Sequence, residues 1–70
     1  MDLRKKPFAE VLQKLSDRGI IACIERTENV YHCVANFEIV ARYKTRRSCK
    51  RFFTKMANHL YGNNVQGLQD

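Results

Sequence analysis

The sequence predicts an α+β domain in the order α-β-β-β-α, with a three-stranded antiparallel sheet and two helices packed on one of its faces. Three observations favour this class: an amphipathic helical period near the N-terminus, a middle segment rich in β-branched residues, and a second helical period near the C-terminus. Seventy residues suffice for one small domain, which buries only about 60% of its unfolded surface. A self-contained active site is therefore not expected, and no catalytic residue is predicted.

The first predicted element is a helix over residues 7–18, preceded by a flexible N-terminus at residues 1–6. Pro7 suits the first turn of a helix because its missing N–H would be unpaired there in any case. Gly19 is suited to end the helix in a left-handed conformation. One apolar stripe has the spacing i, i+3, i+4, i+7 and consists of Phe8, Val11, Leu12 and Leu15.

Three short strands are predicted next, over residues 20–26, 30–37 and 39–43. The first is rich in β-branched residues, and the second alternates between two faces, with Phe37 on the same face as Tyr31. The polar break Thr27-Glu28-Asn29 separates the first two strands as a hairpin turn would. Because these connections are too short for parallel crossovers, the strands are expected to form an antiparallel meander.

The last predicted element is a long helix that begins after Thr45, a residue suited to cap a helix start, and ends before Gly62. Phe52 and Phe53 are expected to fill the core, and the alternative is an aromatic surface for protein association. The folded domain is predicted to span residues 7–61, followed by a flexible tail at 62–70. The apolar residues at helical spacing are Cys49, Phe52, Phe53, Met56 and Leu60.

The net charge of +6 belongs entirely to the second half of the chain. Residues 1–38 carry six basic and six acidic side chains, whereas residues 39–70 carry seven basic side chains and one acid, Asp70. A one-sign stretch of this length indicates a fixed electropositive surface and a polyanionic partner. The seven basic residues are Arg42, Lys44, Arg46, Arg47, Lys50, Arg51 and Lys55.

Four of these cations, Arg46, Arg47, Lys50 and Arg51, fall in the first two turns of the predicted helix. Cations at a helix start cost about 0.3–1 kcal/mol each, because the macrodipole is already positive there. An anion at this position would meet both the side chains and the free backbone N–H groups. The placement therefore favours an anion-binding role, and the alternative is a basic solvated surface kept for solubility.

Three cysteines, Cys23, Cys33 and Cys49, show no close pairing such as CxxC. They are expected to be buried thiols of an intracellular protein, cytoplasmic or nuclear. The alternatives are a zinc site with His32 or His59 and a structural disulfide. No cofactor is predicted, and no apolar run is long enough to predict contact with a membrane.

The stretch Thr45-Arg46-Arg47-Ser48-Cys49-Lys50 resembles the signature Ser-Lys-Lys-x-Ala-Lys of the double-stranded-RNA-binding domain (dsRBD) family. The residues that follow it are in register with the Ala-rich helix of that family, and α-β-β-β-α is the order of elements in its fold. The resemblance covers residues 7–61. The stretch Ile24-Glu25-Arg26-Thr27 looks somewhat like the C-terminal modules of Dicer-type ribonucleases.

The resemblance implies binding to A-form RNA by shape, across two minor grooves and the intervening phosphates. It assigns phosphate contacts to Arg46, Arg47 and Lys50, with Arg51 beside them. It also implies a minor-groove contact from the first helix, through Gln13 with Lys14 or Glu10 beside it, where a polar side chain can bond a ribose 2′-hydroxyl. The alternative for Gln13 is a solvated surface residue.

The chain also departs from the family. The loop at residues 27–29 is short, carries an acid and lacks the usual Gly-Pro-x-His, so weak binding is expected. Phe52 and Phe53 stand where the family usually has Ala. The function predicted is non-catalytic binding of double-stranded RNA, as a module of a larger RNA-processing or RNA-silencing protein of the ribonuclease III or Dicer type. The alternative is a dsRBD-like module for protein interaction or self-association with weak or no RNA binding.

Overall fold

The computed structural model describes residues 2–62 and confirms the α+β class, the order α-β-β-β-α and the antiparallel sheet. The predicted tail lies outside the described residues except for Gly62. A short 3-10 helix precedes the predicted elements. The elements are the 3-10 helix Leu3–Lys5, α1 Phe8–Asp17, β1 Ala22–Thr27, β2 Val30–Ala35, β3 Glu38–Tyr43 and α2 Arg46–Leu60.

The sheet has the strand order β1-β2-β3, and all neighbouring strands are antiparallel. A two-residue turn joins each pair of strands, because Thr27 pairs with Val30 and Ala35 pairs with Glu38. The register shifts by one residue between Cys33 and Val34, which makes Val40 the extra residue of a β-bulge in β3.

The second strand ends at Ala35, so the predicted extension to Phe37 is wrong. Asn36 and Phe37 instead form the β2–β3 turn, with φ of 51° and 70°, as a type I′ turn requires. Asn36 fixes this geometry through two bonds to Ile21: its backbone N–H donates to the Ile21 carbonyl, and its Oδ1 accepts from the Ile21 N–H, both at 2.9 Å. Phe37 is consequently 89% exposed rather than part of the core face.

Both helices pack on one face of the sheet and enclose the core between them. Phe53 is fully buried, and the half-buried ring of Phe52 lies 5.4 Å from it, centre to centre. Both phenylalanines therefore fill the core, as predicted. The fully enclosed side chains are Leu3, Val11, Leu15, Cys33, Cys49, Phe53 and Ala57.

The N-terminal segment is part of this core, which the prediction of a flexible N-terminus at residues 1–6 did not anticipate. The Leu3 side chain is 1% exposed, and the Leu3 N–H donates to Oδ1 of Asn58 on α2 at 2.9 Å. Asp2 caps the 3-10 helix and accepts hydrogen bonds from Arg4, which hold the pKa of Asp2 well below its ordinary value. One apolar side chain in a polar stretch thus anchors the segment.

The two helices run side by side in the same direction. Near their starts, Nζ of Lys50 lies 5.6 Å from the centre of the Phe8 ring. Near their ends, the hydroxyl of Tyr61 donates to the carbonyl of Lys14 at 2.7 Å. Gly19, with φ of 84°, ends α1 as predicted. Among the described residues, no helix combines the length and apolar character needed to cross a bilayer.

Candidate nucleic-acid interface

Four cations form what we call the basic cluster: Arg46, Arg47, Lys50 and Arg51. They occupy the first two turns of α2, as predicted from the sequence. The helix begins where it does because Oγ1 of Thr45 accepts a hydrogen bond from the Ser48 N–H at 3.2 Å. Three of the four side chains are exposed, and Lys50 is half-buried.

No acidic side chain within residues 2–62 forms an ion pair with the basic cluster. The first turn of α2 contains no acid, and the ion pair found in this part of the chain joins Asp2 to Arg4 at the N-terminus. The first N–H groups of a helix have no acceptor within the helix, and the Thr45 cap bonds only that of Ser48. Unpaired guanidinium groups and backbone donors therefore face solvent together, which suits them to bind a phosphate.

Lys50 connects the basic cluster to α1. Its ammonium group lies over the Phe8 ring, so its methylene stem covers apolar surface while the charge stays accessible. Glu10 is half-buried and lies less than one helical turn beyond Phe8. The start of α1 is thus close to the basic cluster, and Glu10 is the predicted α1 residue nearest to it along the helix.

Gln13 and Lys14 lie farther along α1. Gln13 is exposed, and its Nε2 donates to Oδ1 of Asp17 at 2.9 Å, which leaves its Oε1 directed to solvent. Lys14 is half-buried, with Nζ 5.5 Å from the centre of the Tyr61 ring. Tyr61 is eleven residues beyond Lys50, or about 16 Å along the axis of α2. Along α1, however, these two candidates lie only about 7.5–9 Å beyond Phe8, the ring that Lys50 contacts, so they extend the site along α1 and are not part of the basic cluster itself.

The β1–β2 turn consists of Glu28 and Asn29 alone and lies at the same end of the sheet as the start of α2. Glu28 adopts a φ of 51°, and its carbonyl accepts from Nε of Arg26 at 3.3 Å. A two-residue turn with an exposed acid has little reach and the wrong charge for a phosphate contact. The structure thus shows that the β1–β2 connection is short, as the sequence predicted.

Two of the cysteines are buried as predicted, but Cys23 is exposed because it lies on the sheet face away from the helices. All three are free thiols. Burial and a hydrogen bond with Cys49 raise the pKa of Cys33 to about 12, so this thiol stays protonated near neutral pH. Residues 2–62 contain no group of three or more side chains that could hold a metal ion, so the zinc alternative gains no support.

An exposed apolar surface lies at the end of the sheet opposite the β1–β2 turn, and it was not predicted from the sequence. We call it the apolar sheet end, and it consists of Ile21, Phe37, Ile39 and Val40, which are 45–89% exposed. A signal was present in the doublets Ile20-Ile21 and Ile39-Val40, which break the alternation expected of a half-buried strand. In each doublet only one residue can face the core of a regular strand.

The domain therefore presents two distinct surfaces, the basic cluster beside α1 and the apolar sheet end on the opposite face. Comparison of the chain with models of protein families, with curated proteins and with solved structures finds no match in any of the three. The function proposed below accordingly depends on the geometry and charge of the domain itself.

Proposed function

We propose that this domain binds double-stranded RNA without catalysis, by recognising the shape and phosphates of the A-form helix. The observation that carries the proposal is the basic cluster: four cations at one helix start, with no acidic partner in the described part of the chain. Charges placed against the helix dipole lower stability unless an anion compensates them. A polyanion with regularly spaced phosphates provides that compensation.

The choice of duplex RNA rests on the relation of the two helices. Because α1 and α2 run in parallel, a rod-shaped ligand lying across the start of α2 also passes the exposed side of α1. Gln13 lies about 7.5 Å along α1 from Phe8, the ring that Lys50 contacts, and its free amide oxygen can accept a hydrogen bond from a 2′-hydroxyl in the wide minor groove. This arrangement and the resemblance of residues 45–50 to the dsRBD signature support RNA over DNA.

The proposal extends to the biological setting. A single small domain with a two-residue β1–β2 turn has few contacts to offer, so useful affinity requires further modules in the same protein. We therefore propose that the domain belongs to a larger intracellular RNA-processing or RNA-silencing protein, of the ribonuclease III or Dicer type. Within such a protein it would position RNA rather than cut it.

The experiment is a titration of the domain against three ligands by fluorescence anisotropy: a duplex RNA of about 20 base pairs, which exceeds the span of roughly 16 recognised by such domains, the matching DNA duplex, and single-stranded RNA. The proposal predicts clear preference for duplex RNA. Neutralising about three phosphates gives a slope of log K against log salt of about −2.7, or roughly a 40-fold loss of affinity between 50 and 200 mM salt.

Single charge removals locate the site. Arg46→Gln, Arg47→Gln and Lys50→Met should each weaken binding several-fold and reduce the salt slope by about 1. Methionine retains the packing of the Lys50 stem on Phe8. The matched control is Arg42→Gln, which removes one positive charge from the opposite face of the sheet and should change the slope little.

Three results would contradict the proposal. Equal affinity for duplex RNA, duplex DNA and single strands would reduce the basic cluster to a general polyanion site. Equal effects of Arg42→Gln and Arg47→Gln would mean that net charge, rather than the basic cluster, governs binding. Absence of any RNA binding would favour the alternative of a protein-interaction module, which the apolar sheet end supports.

A further inference from the structure

We propose that two copies of this chain associate through the outer faces of their sheets, about a two-fold axis parallel to β2. The starting observation is that the large hydrophobic side chains exposed in the described part of the chain gather at the apolar sheet end. Scattered apolar residues are ordinary on a protein surface, but a contiguous group marks an interaction site. This inference does not depend on RNA binding.

Phe37 gives the strongest indication that another molecule contacts the apolar sheet end. It is 89% exposed and has a φ of 70°, a conformation that a bulky residue rarely adopts and that glycine accepts freely. The turn cannot relax, because Asn36 is bonded twice to Ile21. The ring is thus held rigidly in water in an unfavourable backbone conformation. Contact with another surface would compensate for both penalties.

The outer face also carries a row of polar residues across the three strands. Glu25 pairs with His32, and His32 pairs with Arg42, so opposite charges stand at the two edges of the face. The Nδ1 atom of His32, at the centre of the row, is buried without a hydrogen-bond partner within residues 2–62. Because this atom is already enclosed within one copy, the polar surface available to a partner is that of the exposed Glu25 and Arg42 at the edges.

The next row across the same face is apolar, with Val34 between Cys23 and Ile39. Along the strands, the charged row is therefore followed by the apolar row and then by the β2–β3 turn, which carries Phe37. Val34 is nearly buried by its neighbours, so the centre of the face is already shielded from water. The apolar area left for a partner to cover is therefore that of Cys23 and Ile39 beside it, and of Ile21 and Phe37 at the end of the sheet.

The distribution of charge identifies the occupant as a second copy. A two-fold axis along β2 turns the sheet over and exchanges its edges, while each row keeps its position along the strands. Glu25 of one copy then faces Arg42 of the other, and this contact occurs twice. The same operation places Val34 against its own counterpart and Phe37 near Ile21 of the second copy. An axis across the strands through this row would instead place Glu25 against Glu25 and Arg42 against Arg42, which would repel.

The size of the face sets the expected strength. Three strands of six residues make a face of roughly 14 by 20 Å, well below the about 800 Å² per partner of a standard interface. We therefore expect a weak dimer that exchanges with monomer. Both helices and both basic clusters remain on the outside.

The test is sedimentation velocity without RNA, over roughly 5 to 500 μM protein, a broad range suited to a weak dimer. The proposal predicts conversion from monomer to dimer within this range. Phe37→Gly should weaken association roughly tenfold or more and at the same time raise the Tm of the dilute monomer by a few degrees, because glycine suits the turn. These opposite effects separate a lost contact from a damaged fold.

A charge exchange tests the axis. Glu25→Arg and Arg42→Glu should each weaken association several-fold, and the double variant should restore it to within about twofold of the original. The matched control Arg51→Glu reverses a charge on the helix side and should leave association unchanged. A monomer at every concentration would overturn the proposal and leave the apolar sheet end to a different chain. A dimer that is indifferent to Phe37→Gly, or a double variant that restores nothing, would overturn it as well.

Discussion

Replacing Leu3 by alanine tests whether the N-terminal segment belongs to the core. The Leu3 side chain is 1% exposed and joins the cluster that includes Val11, Leu15 and Ala57. Burial of a leucine side chain contributes about 1.5–3 kcal/mol, and Leu→Ala in a rigid core costs about 2–5 kcal/mol. Because a terminal segment can shift to close part of the cavity, we expect a loss of about 2–3 kcal/mol.

That loss is large for a domain of this size. At roughly 0.05–0.15 kcal/mol per residue, the described residues have a free energy of unfolding of about 3–9 kcal/mol. Leu3→Ala should therefore remove about a fifth or more of the stability and lower Tm by roughly 10–20 °C. Urea and thermal denaturation followed by far-UV circular dichroism would measure both quantities.

The matched control is Lys5→Ala, an exposed position in the same 3-10 helix, which should change stability by less than about 0.5 kcal/mol. Asn58→Ala removes the acceptor of the Leu3 N–H and should cost about 1 kcal/mol. Because either substitution can detach the N-terminal segment, the double variant should lose less stability than the sum of the losses in the two single variants. Equal, small effects of Leu3→Ala and Lys5→Ala would refute the assignment of Leu3 to the core.

Three further predictions concern single features of the fold. Thr45→Ala should lower the free energy of unfolding by about 1 kcal/mol in urea, whereas Thr45→Ser should retain the cap of α2; equal stability of both would contradict the capping role. Burial raises the pKa of Cys33 to about 12, above the 9.0 of a free thiol. The buried neutral thiol therefore contributes fully to the free energy of unfolding below pH 9.0, and this contribution is lost as the pH rises towards 12, by up to about 1.4 kcal/mol per pH unit. Urea titrations on both sides of pH 9.0 should show this slope, and Cys33→Ala should reduce it. Asn36→Ala should cost about 1–2 kcal/mol by losing the bond to the Ile21 N–H and a residue tolerant of positive φ, while Asn36→Gly should cost less; the reverse order would argue against a strained turn.

The order of elements was predictable because helices and strands impose different periods on apolar residues. The apolar stripe of α1 and the alternation of β2 both follow from which side of each element faces the core, and both elements face the same core. The end of β2 was not predictable from the period, because Phe37 continues the alternation. The position at which β2 ends depends on the two hydrogen bonds between Asn36 and Ile21, which are fifteen positions apart in the sequence.

The basic cluster was predictable because its position depends on local features, a capping residue followed by cations. The surroundings of the candidate site residues on α1, Glu10, Gln13 and Lys14, were not predictable. Lys14 contacts Tyr61, which is 47 residues away, and this contact depends on how the two helices pack. Leu3 is a further case, because a single apolar residue among charged ones has no period from which to predict its burial.

The distribution of the cysteines gives the domain an internal reporter of its own motions. Cys23 is exposed, whereas Cys33 and Cys49 are fully enclosed by the sheet and the helices. A thiol reagent should therefore modify one cysteine quickly and the other two only when the helices separate from the sheet. The rate of the second reaction, followed by mass spectrometry, measures the free energy of that opening under native conditions. A duplex RNA that binds both helices would slow it, so core opening can be compared with and without ligand in unlabelled protein.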